Sequence, residues 1–253
     1  MKIFRLDDYQ SWLISRDNLK IIIDPWLNDK FNIPHFPRLL SRRHHSPLPL
    51  SIEDISDLDI LLISSKYSDH LNKNTLCKLP KDIEVICSNS SYKLLKKLGF
   101  ININVLIPSR KIITHGLSIS GVKSGFPYSS SSVGFLIEDL TSKKNIFLET
   151  HVVSNKALLL LNEKKIDAFI GTSESVKLLN IELSMSPQRV FKIIKQLRPT
   201  YFIPTGINVH KNEGFLNNFL NVSGNYNELH NLLYLNNIHT QIVCRESGSE
   251  ISL

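Results

Sequence analysis

The chain has 253 residues, of which 42% are hydrophobic and 21% are charged, and its formal net charge is +7. This composition is close to that of an average globular protein and excludes an intrinsically disordered chain. The longest unbroken apolar run, at 157–161, is far shorter than the roughly 18 residues of a membrane-spanning helix, so we do not expect the protein to span a membrane.

Short strand-like runs open the chain at 2–6, 11–15 and 20–24, with Asp7-Asp8 and Asp17-Asn18 between them. Polar turn residues between short apolar runs predict an antiparallel meander. A loop follows that contains five prolines between Pro25 and Pro49. Loops of this length in compact domains are usually functional or mobile.

The next part of the chain alternates strands with helices. We predict strands at 58–64, 83–87 and 103–107, a short helix at 72–79, and a second helix that begins after an Asn89 cap and ends at Gly99. Strands then return at 111–114, 117–122, 133–138 and 145–148. The last part alternates again, with helices capped by Ser154 and Ser186, a buried strand at 166–171, and strands at 201–204 and 240–245. The two halves are similar, which predicts an α/β protein with two β-then-α halves packed sheet to sheet.

Polar side chains follow several of these strands, at the position where α/β proteins place their sites. Asp24 follows the third strand; Ser65, Tyr67, Asp69 and His70 follow the strand at 58–64. Glu149 and His151 follow the strand at 145–148, and His210 comes soon after the strand at 201–204. Carboxylates and imidazoles in this arrangement suit either a metal ion or general acid–base chemistry. A strand-end Asp can equally cap the next helix.

The segments Ser11-Trp12-Leu13-Ile14, Asp24-Pro25-Trp26-Leu27 and Asp69-His70-Leu71 resemble the opening of a metallo-β-lactamase-fold protein. With Thr75-Leu76 and Glu149-Thr150-His151, nearly the whole chain resembles a divergent branch of that family found in cyanobacteria and plants. The resemblance implies one domain over 1–253 with an αββα sandwich.

The resemblance also shows where this chain departs from the family. The family carries an HxHxDH pattern directly after the strand that corresponds to 58–64 here. Ser65 and Tyr67 stand in place of its first two histidines, and Asp69 and His70 are retained. The third histidine position falls near Ser124-Gly125, the bridging aspartate matches Glu149, and the late histidine falls at Gly206. Because a serine hydroxyl and a phenol do not replace imidazoles around zinc, we expect the three-histidine site to be empty.

A remnant site for one divalent metal (zinc, iron or manganese) could use Asp69, His70 and Glu149, with His151 or His210 as the fourth ligand. The alternatives are that Asp69 and His70 only form hydrogen bonds in the core or cap a helix, or that they carry out acid–base chemistry without metal. We further expect Asp24 to lie beside this cluster. The Tyr67 ring is expected to fill the volume of the missing metal, with its hydroxyl bonded to Asp24 or Glu149.

Three functions are compatible with these residues. The first is a hydrolase with one metal or none, in which Asp69 orients or deprotonates the attacking water. The second is a catalytically inactive relative that binds a small ligand or a protein. The third, an RNA-processing role suggested by the positive charge, ranks last, because nucleases of this fold are implied to keep the full metal set. We therefore do not expect nucleic acid as a partner, and neither the small-molecule substrate nor the oligomeric state follows from the sequence.

The cysteines and the N-terminus indicate the cellular location. Three scattered cysteines, Cys77, Cys87 and Cys244, form neither a disulfide framework nor a zinc knuckle, so we expect a reducing cytoplasm. The acidic pair Asp7-Asp8 stands where a signal peptide would be apolar, so we expect no secretion signal.

The basic segment 38–45 and the histidines His35, His44 and His45 predict a solvated loop. An anion-binding patch or a lid over the site is the alternative.

Overall fold

The computed structural model describes residues 1–28, 30–32, 39–55, 57–244 and 246–253, with the backbone alone at 30–32 and 210. The strands are β1 (Lys2–Arg5), β2 (Trp12–Arg16), β3 (Leu19–Ile23), β4 (Lys30–Asn32), β5 (Ser41–Arg43), β6 (Ile60–Ile63), β7 (Glu84–Cys87), β8 (Ile103–Val105), β9 (Lys111–Thr114), β10 (Leu117–Lys123), β11 (Val133–Asp139), β12 (Asn145–Glu149), β13 (Ala168–Gly171), β14 (Ser175–Leu178), β15 (Ile181–Ser184), β16 (Tyr201–Pro204), β17 (Leu220–Ser223), β18 (Gln241–Ile242) and β19 (Glu250–Ser252). The α-helices are α1 (Lys73–Lys78), α2 (Tyr92–Lys97), α3 (Asn155–Leu161), α4 (Pro187–Leu197) and α5 (Tyr226–Leu235).

Two seven-stranded sheets form the centre of the molecule. The first has the order β19-β1-β2-β3-β6-β7-β8, and the second has the order β18-β16-β13-β12-β11-β10-β9. One apolar cluster contains inward side chains from both sheets, including Ile21 and Leu62 of the first and Phe135 and Ile170 of the second. The sheets therefore pack face to face over a shared core, as the similar halves of the sequence predict.

Helices cover the two outer faces. Strand β6 alternates: Ile60 and Leu62 belong to the core between the sheets, whereas Leu61 and Ile63 pack with residues of α1 and α2. On the second sheet, Phe169 of β13 packs with residues of α3, α4 and α5. A strand that is buried on both faces has a continuous run of apolar residues in its sequence. The four-layer αββα architecture and the two central strands expected at 60–64 and 166–171 are thus confirmed.

The predicted helix ends are confirmed except at one helix. Asn72, Ser154 and Ser186 each accept a hydrogen bond from a backbone N–H in the first turn of α1, α3 and α4. Gly99 follows α2 with a φ of 92°, the left-handed conformation that favours glycine at this position. The prediction that Asn89 caps α2 is wrong, because Ser91 occupies the N-cap position there.

A smaller sheet that the sequence did not predict lies over one edge of the sandwich. Its order is β15-β14-β17, and its side chains pack with Tyr9 and Val209. The strands are short and follow turn-rich segments, so they show no clear periodicity in the sequence. None of the helices among the described residues has the length and apolar character needed to cross a membrane.

Candidate functional site

The buried carboxylate of Asp24 connects the ends of two parallel strands. Strands β3 and β6 are parallel neighbours, so the residues that follow them, Asp24 and Ser64, come together at one edge of the sheet. Ser64 donates its N–H to Asp24 Oδ1 at 2.8 Å and its hydroxyl to Oδ2 at 2.5 Å. His70 donates from Nδ1 to Oδ2 at 2.7 Å. Asp24 therefore holds the His70 ring in a single orientation.

The protonation of His70 is controlled by this buried environment. Burial by itself favours the neutral ring, but the negative charges of Asp69 and Asp24 and the hydrogen bond that His70 donates to Asp24 outweigh it and raise the pKa of His70 to about 9. Asp69 Oδ2 lies 3.7 Å from His70 Nε2. The two carboxylates thus favour the imidazolium form of His70.

Gln10, in the turn between β1 and β2, completes the surroundings of Asp69. Its amide nitrogen donates to Asp69 Oδ2 at 3.0 Å and to the Asp69 carbonyl at 3.2 Å, and it lies 3.1 Å from His70 Nε2. Gln10 could not be identified from the sequence, because its position in a polar turn carries no pattern that distinguishes it.

The second sheet contributes Glu149 and His151 from the end of β12. Glu149 Oε2 accepts the Ser124 hydroxyl at 2.7 Å, and Oε1 accepts the His151 N–H at 3.0 Å. His151 Nδ1 lies 3.7 Å from Glu149 Oε1. Burial lowers the pKa of His151; the charge of His70 also lowers it, and Glu149 partly opposes the shift. His151 is thus neutral at neutral pH.

Stacked rings join the two halves of the site. The His70 and His151 rings are stacked with centroids 4.6 Å apart, and the Tyr128 ring lies 3.9 Å from His151 on centroids. These contacts, with the ion pairs above, bring together the five side chains that the sequence predicted to converge: Asp24, Asp69, His70, Glu149 and His151. Tyr128 was not predicted, although an aromatic residue beside the serine run 129–132 is a signal that could have found it.

Ser65 lies inside the site, whereas Tyr67 does not make the contacts that were expected of it. Ser65 is buried and accepts the Ser132 hydroxyl at 3.0 Å, which closes the site from the side of the β10–β11 hairpin. Tyr67 is 38% exposed and its hydroxyl donates to Ser131 Oγ at 3.2 Å. The expectation that this hydroxyl bonds Asp24 or Glu149 is wrong. Both carboxylates are already bonded by closer groups, and the ring that packs against His151 at short distance is that of Tyr128.

The other histidines lie in different surroundings. His44 stacks on Trp26 with centroids 3.8 Å apart and bonds Asp8 at 3.0 Å. It therefore connects the loop to the first sheet. The side chain of His210 and all of His35 lie outside the described residues, so their predicted contributions are not tested.

The donor atoms at the site bond to one another. Among the described residues, no three His, Cys, Asp or Glu side chains are placed so that they could hold one metal ion. His70 Nδ1 bonds Asp24 at 2.7 Å, which leaves Nε2 as the ring nitrogen that could bind a metal, and the Gln10 amide nitrogen lies 3.1 Å from that atom. The arrangement of Asp69, His70, Glu149 and His151 therefore does not fit a metal ion as these side chains are placed.

A cavity of about 960 Å³ opens above this network. Its inner end is formed by Gln10, Asp69, His70, Tyr128 and His151. Its apolar wall comes largely from the small sheet and the residues beside it, namely Val176, Leu178, Leu183, Val209, Leu216 and Leu220. Large, mostly apolar clefts with a few convergent polar groups are the usual form of small-molecule sites.

The chain is similar to known proteins in sequence and in fold. A family model described as "Beta-lactamase superfamily domain" matches residues 6–206, whereas no curated protein matches the sequence significantly. The fold is similar to that of an isothiocyanate hydrolase from Delia radicum gut bacteria, with a TM-score of 0.75, 19% identity and coverage of 100% of this chain and 99% of that chain. It is also similar to a possible metal-dependent hydrolase from Veillonella parvula DSM 2008, with a TM-score of 0.75, 15% identity and coverage of 100% and 99%.

A third solved structure is Igni18, a metallo hydrolase from the hyperthermophilic archaeon Ignicoccus hospitalis. Its TM-score is 0.69 at 14% identity, with coverage of 99% of this chain and 97% of that chain. Identities this low show a shared fold and carry no activity from one protein to another.

Proposed function

Since this chain belongs to the beta-lactamase superfamily, we propose that it binds a small molecule in the cavity at its strand ends, without a resident metal ion. The observation that carries the proposal is the network beneath the cavity. There, the acids and imidazoles satisfy one another, with Asp24 bonded to His70 and Glu149 bonded to Ser124. The cavity above them is nevertheless preserved at about 960 Å³.

The chemistry of the donor set supports this function. Zinc in proteins binds imidazole nitrogen and carboxylate oxygen at about 2.0–2.2 Å. By resemblance, Ser65, Tyr67 and Ser124 stand at or next to the three positions where the family has its first-metal histidines. Ser65 and Ser124 instead make hydrogen bonds within the protein. The groups that would bind the first metal ion are therefore replaced by groups that stabilise the fold.

A hydrolase with one divalent metal is the competing function. It is favoured by the convergence of Asp69, His70, Glu149 and His151 on one network, and two of the structurally similar proteins are named for a metal. In that case Asp69 would be the catalytic group. The two functions differ in whether the purified protein holds a metal at all.

Metal content of protein purified without chelator tests the proposal. We expect zinc, iron and manganese each well below one equivalent, with no rise in thermal stability when any of them is added. The same measurement on Asp69→Ala and on Asp82→Ala, an exposed acid that does not line the cavity, provides the comparison. One equivalent of metal that is retained by Asp82→Ala and lost by Asp69→Ala would show that the proposal is wrong and that the hydrolase is right.

Occupation of the cavity is tested separately with the neutral dye Nile red. We expect its fluorescence to rise on binding the native protein and to stay low with Leu220→Asp, which places a charge in the apolar wall. Leu159→Asp changes a leucine that is 74% exposed on α3 and should bind the dye normally. Equal dye binding by the two variants would place the dye elsewhere and remove the support for a ligand cavity.

We propose a small molecule rather than nucleic acid as the partner, and the cytoplasm as the location. The first rests on the size and the mostly apolar lining of the cavity. The second rests on the free thiols of Cys77, Cys87 and Cys244, which are typical of a reducing compartment.

A further inference from the structure

The apolar wall of the cavity begins directly beside the Asp69 carboxylate. Tyr9 packs with Val176 and Val209 of the wall, and the next residue, Gln10, donates to Asp69 Oδ2. Two neighbouring residues of one turn thus connect the wall to the polar end of the cavity. A ligand that touches Asp69 is therefore in reach of the wall.

The wall itself is a mostly apolar surface. Val176 and Leu178 alternate with Ser175 and Lys177 along β14, so they share one face of the small sheet. Leu178 pairs with Leu220 of β17 on one side and with Ile181 of β15 on the other. Both Val176 and Leu178 line the cavity. This surface suits an extended hydrocarbon chain or ring.

At the polar end of the cavity, the acids outnumber the imidazoles. Three carboxylates, those of Asp24, Asp69 and Glu149, are connected by the contacts above to only two imidazoles, those of His70 and His151. Even with both rings protonated, the acids exceed the bases by one charge.

Asp69 is the carboxylate that presents this charge to the cavity. It lines the cavity and its side chain is 22% exposed, whereas Asp24 and Glu149 are buried, with an exposed fraction of 1% or less. Gln10 and His70 approach the Asp69 carboxylate at Oδ2. Lys66 and Lys73 also line the cavity, but both are exposed, so water and salt screen their charges.

We propose that the ligand is an amphipathic cation, with an ammonium or amidinium head that donates to Asp69 and an apolar tail along the wall of β14, β15 and β17. This assignment rests on the proposed function and names the ligand class of the same cavity. A charge-assisted hydrogen bond at a partly buried carboxylate favours such a head over a neutral hydroxyl by about tenfold or more in affinity. The same negative charge disfavours an anionic head.

Displacement of bound Nile red by three eight-carbon probes tests the assignment. The probes are octylammonium, 1-octanol and octanoate, which share one tail and differ in head charge. We expect octylammonium to displace the dye at a concentration about tenfold or more below that of octanol, and octanoate to be the weakest. The difference between octylammonium and octanol should disappear in Asp69→Asn and persist in Asp82→Asn.

The outcomes separate this inference from the function on which it rests. Dye binding in the cavity with octanoate equal to or better than octylammonium overturns the ligand class and leaves a metal-free binding site standing. A preference for octylammonium that survives Asp69→Asn, or no displacement by any probe, also overturns the ligand class. One equivalent of metal bound through Asp69 overturns the proposed function itself.

Discussion

Replacing Asp24 by asparagine tests whether the buried network holds the strand ends together. Asp24 is fully buried and accepts hydrogen bonds from the Ser64 N–H, the Ser64 hydroxyl and His70 Nδ1. Asparagine keeps the size of the side chain but removes its charge and converts one acceptor into a donor. The new N–H₂ group then faces groups that themselves donate.

The expected loss follows from what the substitution leaves behind. Removing one partner of a buried ion pair costs about 3–5 kcal/mol, because the other charge remains buried without compensation. For a chain of 253 residues, an unfolding entropy of about 2.1 cal/mol/K per residue converts this into a fall in Tm of roughly 6–10 °C. The loss is a large part of the 5–15 kcal/mol that stabilises a typical protein.

Urea and thermal unfolding at pH 6, followed by circular dichroism, measure the change. Asp82→Asn is the matched control, because Asp82 is exposed; its free energy of unfolding should stay within about 0.5 kcal/mol of the native value. A loss below about 1 kcal/mol in Asp24→Asn would refute the reasoning. It would mean that Asp24 and His70 are not a charged pair in the folded protein.

Two other predictions follow from the same site. Because the pKa of His70 is raised to about 9 from an ordinary 6.5, its contribution to stability is complete below about pH 6.5. It is lost as the pH rises through 9, and the free energy of unfolding should fall by about 3 kcal/mol over this range. His70→Gln should remove most of this fall and the exposed His239→Gln should retain it, whereas equal pH profiles would contradict the assignment. In Gly134→Ala, the added Cβ would lie 2.9 Å from Glu149 Oε2 and 3.0 Å from the Leu148 carbonyl, so urea unfolding should show a loss of about 1–3 kcal/mol; an unchanged midpoint would show that the strand can shift at no cost.

The sequence by itself determined the layers of the fold and the place of the site. Apolar runs such as 60–63 and 168–171 are buried on both faces because each lies in the middle of a sheet between two layers. Parallel strands end at a common edge, so Asp24 and His70 could be assigned to one site of the first sheet; Glu149 follows a strand of the second sheet and was assigned to the same site by its like position after a strand. These features depend on local pattern and on connection rules, which a single sequence carries.

The tertiary structure decided which of those side chains bond to one another. Gln10 meets Asp69 across 59 residues of sequence, and Tyr128 rather than Tyr67 packs closely against His151. No periodicity predicts such contacts, because turn and loop side chains take their directions from the whole fold. Tyr67 lost its expected partners because Ser64, His70 and Ser124 already bond the two carboxylates.

The wall of the cavity was also decided only by the folded chain. Strands β14, β15 and β17 have four residues each, too short for their alternation to be distinguished from that of a loop. They become a sheet because the hairpin of β14 and β15 pairs with β17, which is distant in sequence, and packs on Tyr9 and Trp26. The sequence therefore located the chemistry at the strand ends, and long-range packing determined the cavity in which that chemistry meets a ligand.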